Sequence, residues 1–158
     1  MLPDFSLREL ELLKLFQALG PAGQKECLEY IKYLLSKQYK RELNLAIFNN
    51  NLLQNLLRGL LHLVQKEDFD IMLAQKRMMQ IKELYYAIFA DIHNRYSELV
   101  EDLDTSEIVR EFGQNNFSQV ETAFISGDIN RIRYEIIEFF QQYERLARKK
   151  DSRHVMAV

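Results

Sequence analysis

The sequence predicts an all-α protein, a helical bundle of about five to seven helices with a long central helix. Two observations predict it. Apolar residues recur at steps of three and four through most of the chain. Glycine and proline are scarce, five and two in 158 residues, so few turn signals interrupt those patterns.

Ser6 and Glu9 fit a capping box, in which each side chain satisfies the other's backbone N–H. A first helix then runs to about Leu19 on an apolar face of Leu10, Leu13, Phe16 and Leu19. Gly20-Pro21-Ala22-Gly23 ends it, and Pro21 suits the first turn of a second helix. The second helix carries Cys27, Ile31, Leu34 and Leu35 on one face and ends near Arg41. The short link makes these two an antiparallel hairpin.

On a helical wheel the region 43–66 places Asn44, Asn51, Asn55, Arg58, His62 and Gln65 on one narrow side. Leu45, Leu52, Leu53, Leu56, Leu57, Leu60, Leu63 and Val64 cover the other half, a wide face suited to the middle of a bundle. A membrane span would not carry Arg58, His62 and a stripe of amides unless they faced a pore. Asn49 alone projects to the apolar side. Either it is buried with a partner in a continuous helix, the preferred reading, or the helix begins near Asn51 with an asparagine cap.

Lys66-Glu67-Asp68 is a polar break. The longest pattern follows: Ile71, Ala74, Met78, Ile81, Tyr85, Ile88, Ile92 and Leu99, with Arg95 the one miss. A helix over residues 70–103 would be roughly 50 Å long, longer than the first two, and so able to reach later helices or another chain. Asp104-Thr105-Ser106-Glu107 has capping chemistry before Ile108, Val109 and Phe112. Gly113-Gln114-Asn115-Asn116 then predicts a break, and Ser118 with Glu121 another capping box. Phe117, Val120, Ala123 and Phe124 form the next face, which stops at Ser126-Gly127. Asp128 caps a final helix facing inward with Ile129, Ile132, Ile136, Phe139 or Phe140, Tyr143 and Leu146, and the tail after Lys150 is expected to fray. One domain over residues 1–158 is expected, with a hairpin (1–41) and a longer-helix bundle (43–150) as possible sub-units.

Composition narrows function. The chain is 47% hydrophobic and 28% charged, which is globular, and its net charge of -2 lacks the usual basic excess of a nucleic-acid binder. A single cysteine, Cys27, excludes an intramolecular disulfide and a cysteine-based zinc site. MLPDFSLREL has no basic stretch followed by an apolar one, so no secretion signal is expected, and the cytoplasm is the expected location.

His62, His93 and His154 lack a glutamate three residues upstream, so they are read as exposed helical residues rather than ligands. Cys27 is read as a core thiol, since nothing marks a base beside it. Glu98, Glu101, Asp102, Asp104, Glu107 and Glu111 surround a helix junction without the spacing of a calcium loop, and are read as solvated helix ends. Neither a catalytic centre, a cofactor nor a metal is expected. Two surfaces remain as candidates. Met72, Met78 and Met79 with Tyr85 and Tyr86 form a possible adaptable binding surface. Arg145, Arg148, Lys149, Lys150 and Arg153 form a basic cluster that could meet nucleic acid, although favourable charge at a helix C-terminus is the preferred reading.

The stretch LRELELLKLFQALGPAGQKECLEYIKYLLSKQ, residues 7–38, resembles helical segments downstream of the DNA-reading domain in bacterial Xre-type regulators. Those read as a leucine-rich helix, a Pro or Gly turn and a Gln/Glu-rich helix ending Leu-Leu-x-Lys-Gln. No helix-turn-helix domain precedes the stretch, so the resemblance implies a dimerisation or sensory module and carries over no DNA-contacting residue. The expectation is a non-enzymatic interaction or regulatory protein of a bacterial regulatory system, pairing with itself as a homodimer or with another protein, and outside the membrane. The alternatives are a small-ligand sensor with a pocket near Asn49, Tyr85 and Tyr86, or a nucleic-acid binder using the basic cluster.

Overall fold

The computed structural model describes residues 4–101, 103 and 108–156, and the side chains of all of these except 108 and 149–156. Among them lie six helices: α1 (Leu7–Ala18), α2 (Pro21–Phe48), α3 (Asn51–Val64), α4 (Ile71–Ser97), α5 (Ile108–Ser126) and α6 (Ile129–Met156). The chain divides into two compact units, residues 1–38 and 39–158, and the boundary falls inside α2. The fold is all-α, and no helix among the described residues is long and apolar enough to cross a membrane.

The first unit is built by local signals, and α1 and α2 are joined at their corner without the face-to-face packing of the antiparallel hairpin expected from sequence. Ser6 accepts from the Glu9 N–H while Glu9 accepts from the Ser6 N–H, the capping box expected from sequence. At the corner, the Gln24 side-chain amide donates to the carbonyls of Phe16 and Leu19, both at 3.2 Å. Both lie at the end of α1, where the Phe16 carbonyl also accepts from the Leu19 N–H, and Gln24 adds to the C-terminal cap. Cys27 is half-buried here rather than a core thiol, because no described side chain of residues 4–38 is buried.

In the second unit α3 packs on α4 and α6, and α5 packs on α4 and α6, which closes a ring of four helices. Residues 39–48 of α2 pack across one end of it. Tyr39 meets His93 and Tyr96 of α4, and Phe48 meets Phe112 of α5 and Tyr143 of α6. Leu53, Leu57 and Leu60 of α3, Ile81 and Tyr85 of α4, Val120 of α5 and Ile132 and Ile136 of α6 are buried between the helices. Of the alternatives at α6, Phe139 is buried and Phe140 only partly so.

Several expected boundaries move. The second helix does not end near Arg41 but runs to Phe48, and the continuous helix across Asn49 is replaced by a turn. Asn50 caps α3, accepting from the Leu53 N–H at 2.9 Å, and Asn49 is exposed. The break is satisfied from elsewhere in the unit. The Tyr143 hydroxyl donates to the Ile47 carbonyl at 2.5 Å, and the Gln54 amide donates to the Phe48 carbonyl at 2.9 Å. Asn55, Arg58 and His62 are exposed as the wheel requires, whereas Leu45 and Leu52 are exposed against it.

The long helix stops at Ser97 rather than near Leu103, and α2 and α6, at 28 residues each, match its 27. Its seam holds from Ala74 to Ile92 and then passes to Tyr96, leaving Leu99 exposed. The expected break at Gly113 is absent, because α5 is continuous from Ile108 to Ser126. Ser118 therefore lies inside α5, its carbonyl accepting from Thr122, while Glu121 accepts from the Lys82 ammonium of α4 instead of closing a capping box. The capping signal at residues 104–107 lies outside the described residues. Asp128 caps α6 as expected, and Asp70, expected only as the start of the long helix, caps α4. The segment after Lys150 continues α6 to Met156, where fraying was expected.

Gly113 has a packing reason. A Cβ there would sit 2.8 Å from a ring carbon of Tyr85 and 3.1 Å from the Tyr86 hydroxyl. Tyr85 cannot step aside easily, since it is 1% exposed and its hydroxyl donates to the Val109 carbonyl. In Gly113→Ala the helical backbone would gain about 1 kcal/mol, but overpacking costs about 1–3 kcal/mol. The expected result is a net loss of stability, read as a lower urea midpoint with an unchanged m value.

Candidate functional site

The expected Met/Tyr surface is divided by the structure. Met78 and Tyr85 are buried, Tyr86 is half-buried, and Met72 and Met79 are exposed. They cannot act as one surface, because the α4 helix turns Met78 and Tyr85 toward the bundle and Met72 and Met79 away from it. The space beside Tyr85 is occupied by the rings of Tyr86, Phe112 and Phe117, with centroids 5.2–6.2 Å away. Asn49 stands exposed in the α2–α3 turn, so it is not a buried lining residue of the pocket expected near Asn49, Tyr85 and Tyr86.

The basic cluster lies on the second half of α6. Arg145 is exposed, and Arg148 pairs with Glu144 one turn before it at 3.2 Å. Lys149, Lys150 and Arg153 carry side chains outside those described. His62 is exposed, but His93 is not the lone exposed residue expected. It is half-buried, stacks on Phe89 and shares a 3.0 Å hydrogen bond with the Tyr39 hydroxyl. Of the acidic group, Glu98, Glu101 and Glu111 are exposed, and Asp102, Asp104 and Glu107 lie outside the described residues. Among the described residues no three His, Cys, Asp or Glu side chains are placed to hold a metal ion.

The remaining charged groups with defined partners hold helices together. Glu42 accepts from Tyr96 at 2.5 Å and from Arg95 at 2.8 Å. The Tyr96 hydroxyl is the main reason its carboxyl is held below the usual range, with Arg95 assisting and desolvation pulling the other way. Burial pushes the Tyr143 phenol up to about 12, opposed by the Gln54 amide. A raised folded-state value means its contribution is complete below the ordinary phenol range and lost as pH rises through the folded value. Stability should therefore fall between about pH 10 and 12, and Tyr143→Phe should flatten that part of an alkaline denaturation profile. An equally steep profile in the variant would show that other groups control it.

What stands out is the first unit. Phe5, Leu7, Leu10, Leu12, Leu13, Leu15 and Leu19 are all exposed on α1 or immediately beside its ends, with Leu7 at 86% and Leu15 at 62%. Leu28, Tyr30, Ile31, Tyr33 and Leu34 of α2 are exposed as well. These twelve lie within residues 5–34, whereas the much longer second unit exposes eight large apolar side chains among its described residues. An open depression of about 460 Å³ runs along α1 between Leu7, Leu10, Leu13 and the polar Glu11, Lys14 and Gln17. Large contiguous apolar patches are the class of surface that marks interaction sites, whereas single exposed apolar residues are not. Sequence periodicity identified the faces of α1 and α2 but assigned them to each other. The signal that could have placed the surface here is α1 itself, where leucines occupy nearly every side and exceed what one neighbouring helix can cover. The chain matches no family model, no curated protein and no solved structure.

Proposed function

We propose that the chain is a non-enzymatic interaction protein that pairs with a second copy of itself. The observation that carries this reading is a helical unit of residues 1–38 with no buried side chain among those described. Fixing a residue's backbone costs about 1–2 kcal/mol, and units below about 40 residues usually need a metal, a disulfide or a partner chain. Cys27 is the only cysteine, so no disulfide can form within the chain. Charge permits a second copy as the partner. Residues 1–38 contain five acidic and five basic side chains, so two copies meet without net repulsion. The resemblance of residues 7–38 to the segment downstream of the DNA-reading domain in Xre-type regulators supports the same role, dimerisation within a regulatory system. The paired roles of Glu42, Lys82 and His93 are structural, which suits a binding protein better than an enzyme.

Sedimentation equilibrium of the whole chain at several concentrations tests the reading. A mass that rises from one chain to two is expected. A chain that stays monomeric at high concentration overturns it.

A further inference from the structure

We infer that α2 is a conformational relay: the hold of the second unit on residues 39–48 keeps residues 21–38 helical. The relay acts within one copy of the chain, whether or not two copies pair. α2 runs unbroken from Pro21 to Phe48, 28 residues, with no glycine or proline after Gly23. Support is unequal along it. Tyr39, Leu43, Ile47 and Phe48 are buried, at 0–2% exposure. The Tyr39 hydroxyl shares a hydrogen bond with His93, Glu42 accepts from Tyr96 and Arg95, and the Ile47 carbonyl accepts from Tyr143. Between Pro21 and Gln38 no side chain is buried.

A helix held by nothing outside itself must start its own first turn, which is unfavourable by a factor of about a thousand. A residue added to an existing helix brings one hydrogen bond for the two backbone torsions it fixes. That exchange is near balance for Gln, Lys, Glu and Leu, which make up most of residues 24–38. The buried part of α2 is the existing helix, so order passes from Tyr39 back toward Pro21. The far end is not the source. α1 and α2 do not pack face to face, and the bonds from the Gln24 amide to Phe16 and Leu19 replace bonds to water with little net gain. Freeing residues 39–48 from the second unit therefore also unravels residues 21–38, and it disperses the exposed Leu28, Ile31 and Leu34 without anything touching them.

Hydrogen–deuterium exchange of the full chain tests the direction of the relay, at a dilution where sedimentation gives the mass of one copy. The variants are Lys37→Pro, Lys32→Pro and Lys37→Ala, and both lysines are exposed. Proline removes one N–H and clashes with the carbonyl four residues earlier, yet it suits the first turn of the helix that follows it. Lys37→Pro is expected to lower the protection of amides 25–36 by about tenfold or more and to leave residues 42–48 unchanged. Lys32→Pro is expected to release only amides 25–31, with residues 37–48 as in the wild type. Lys37→Ala loses the same contact with the Tyr33 ring but keeps the hydrogen-bond ladder, and should match the wild type. The relay is overturned if amides 25–36 keep their protection in Lys37→Pro, if Lys32→Pro releases both sides alike, or if the dilute wild-type chain shows no protection across residues 25–36. Self-association is read from mass, so either proposal can fail without the other.

Discussion

Phe112→Ala is expected to cost the unit of residues 39–158 about 3–5 kcal/mol, the range for deleting a buried aromatic ring. Phe112 is buried on α5 where three other helices converge. Its ring centroid lies 5.8 Å from Phe48 of α2, 6.2 Å from Tyr85 of α4, and 5.1 and 6.4 Å from Phe139 and Tyr143 of α6. The site cannot collapse readily. Tyr85 and Tyr143 are anchored through their hydroxyls to the Val109 and Ile47 carbonyls, so the cavity would remain and the cost should lie toward the upper part of the range. Denaturant unfolding reads this as a lower midpoint. A loss under about 1 kcal/mol would mean that the rings do not form the packed centre described here.

The second large effect is expected at Arg133. Its guanidinium donates to the carbonyls of Val64 at 2.7 Å and of Lys66 and Glu67 at 2.8 Å, and to the Asn130 side chain at 3.0 Å. It also lies 5.4 Å from the Phe69 ring centroid. Those carbonyls end α3 and begin the link to α4, so one side chain of α6 satisfies orphan acceptors and fixes the turn. Arg133→Ala should cost on the order of 1.5–3 kcal/mol, as for hydrogen bonds to a charged group. Arg133→Lys should recover only part of that, because a single ammonium cannot reproduce the planar fork. Full recovery with lysine would indicate that charge alone matters there.

What the sequence disclosed, and what it did not, follows from the range of each signal. The capping box of Ser6 and Glu9 and the cap at Asp128 are contained within a few residues, and they were legible. The seam of α4 was legible for the same reason, since periodicity reports which face is turned inward. The break at Asn49–Asn50 was legible only as the less favoured alternative, because the groups that make it tolerable include Tyr143, far along the chain. Gly113 read as a helix breaker because its cause, the Tyr85 ring on another helix, is invisible locally. Arg133 gave one hint: it sits one turn after Ile129 on an otherwise apolar face, where a cation requires a partner. The surface expected on α4 is divided between buried Met78 and Tyr85 and exposed Met72 and Met79, because apolar periodicity records that a face wants cover and not which element supplies it.

Hydrogen–deuterium exchange of the wild-type chain, compared between dilute and concentrated solutions, tests the central claim that residues 7–38 find their cover on a second copy. Amides of α2 beyond Gln38 serve as the internal standard, because Tyr39, Leu43 and Ile47 bury that segment within the second unit. Protection across residues 7–38 should rise with concentration while that of residues 39–158 stays constant. Protection of residues 7–38 that is the same at every concentration, or a rise confined to α4, would contradict the account.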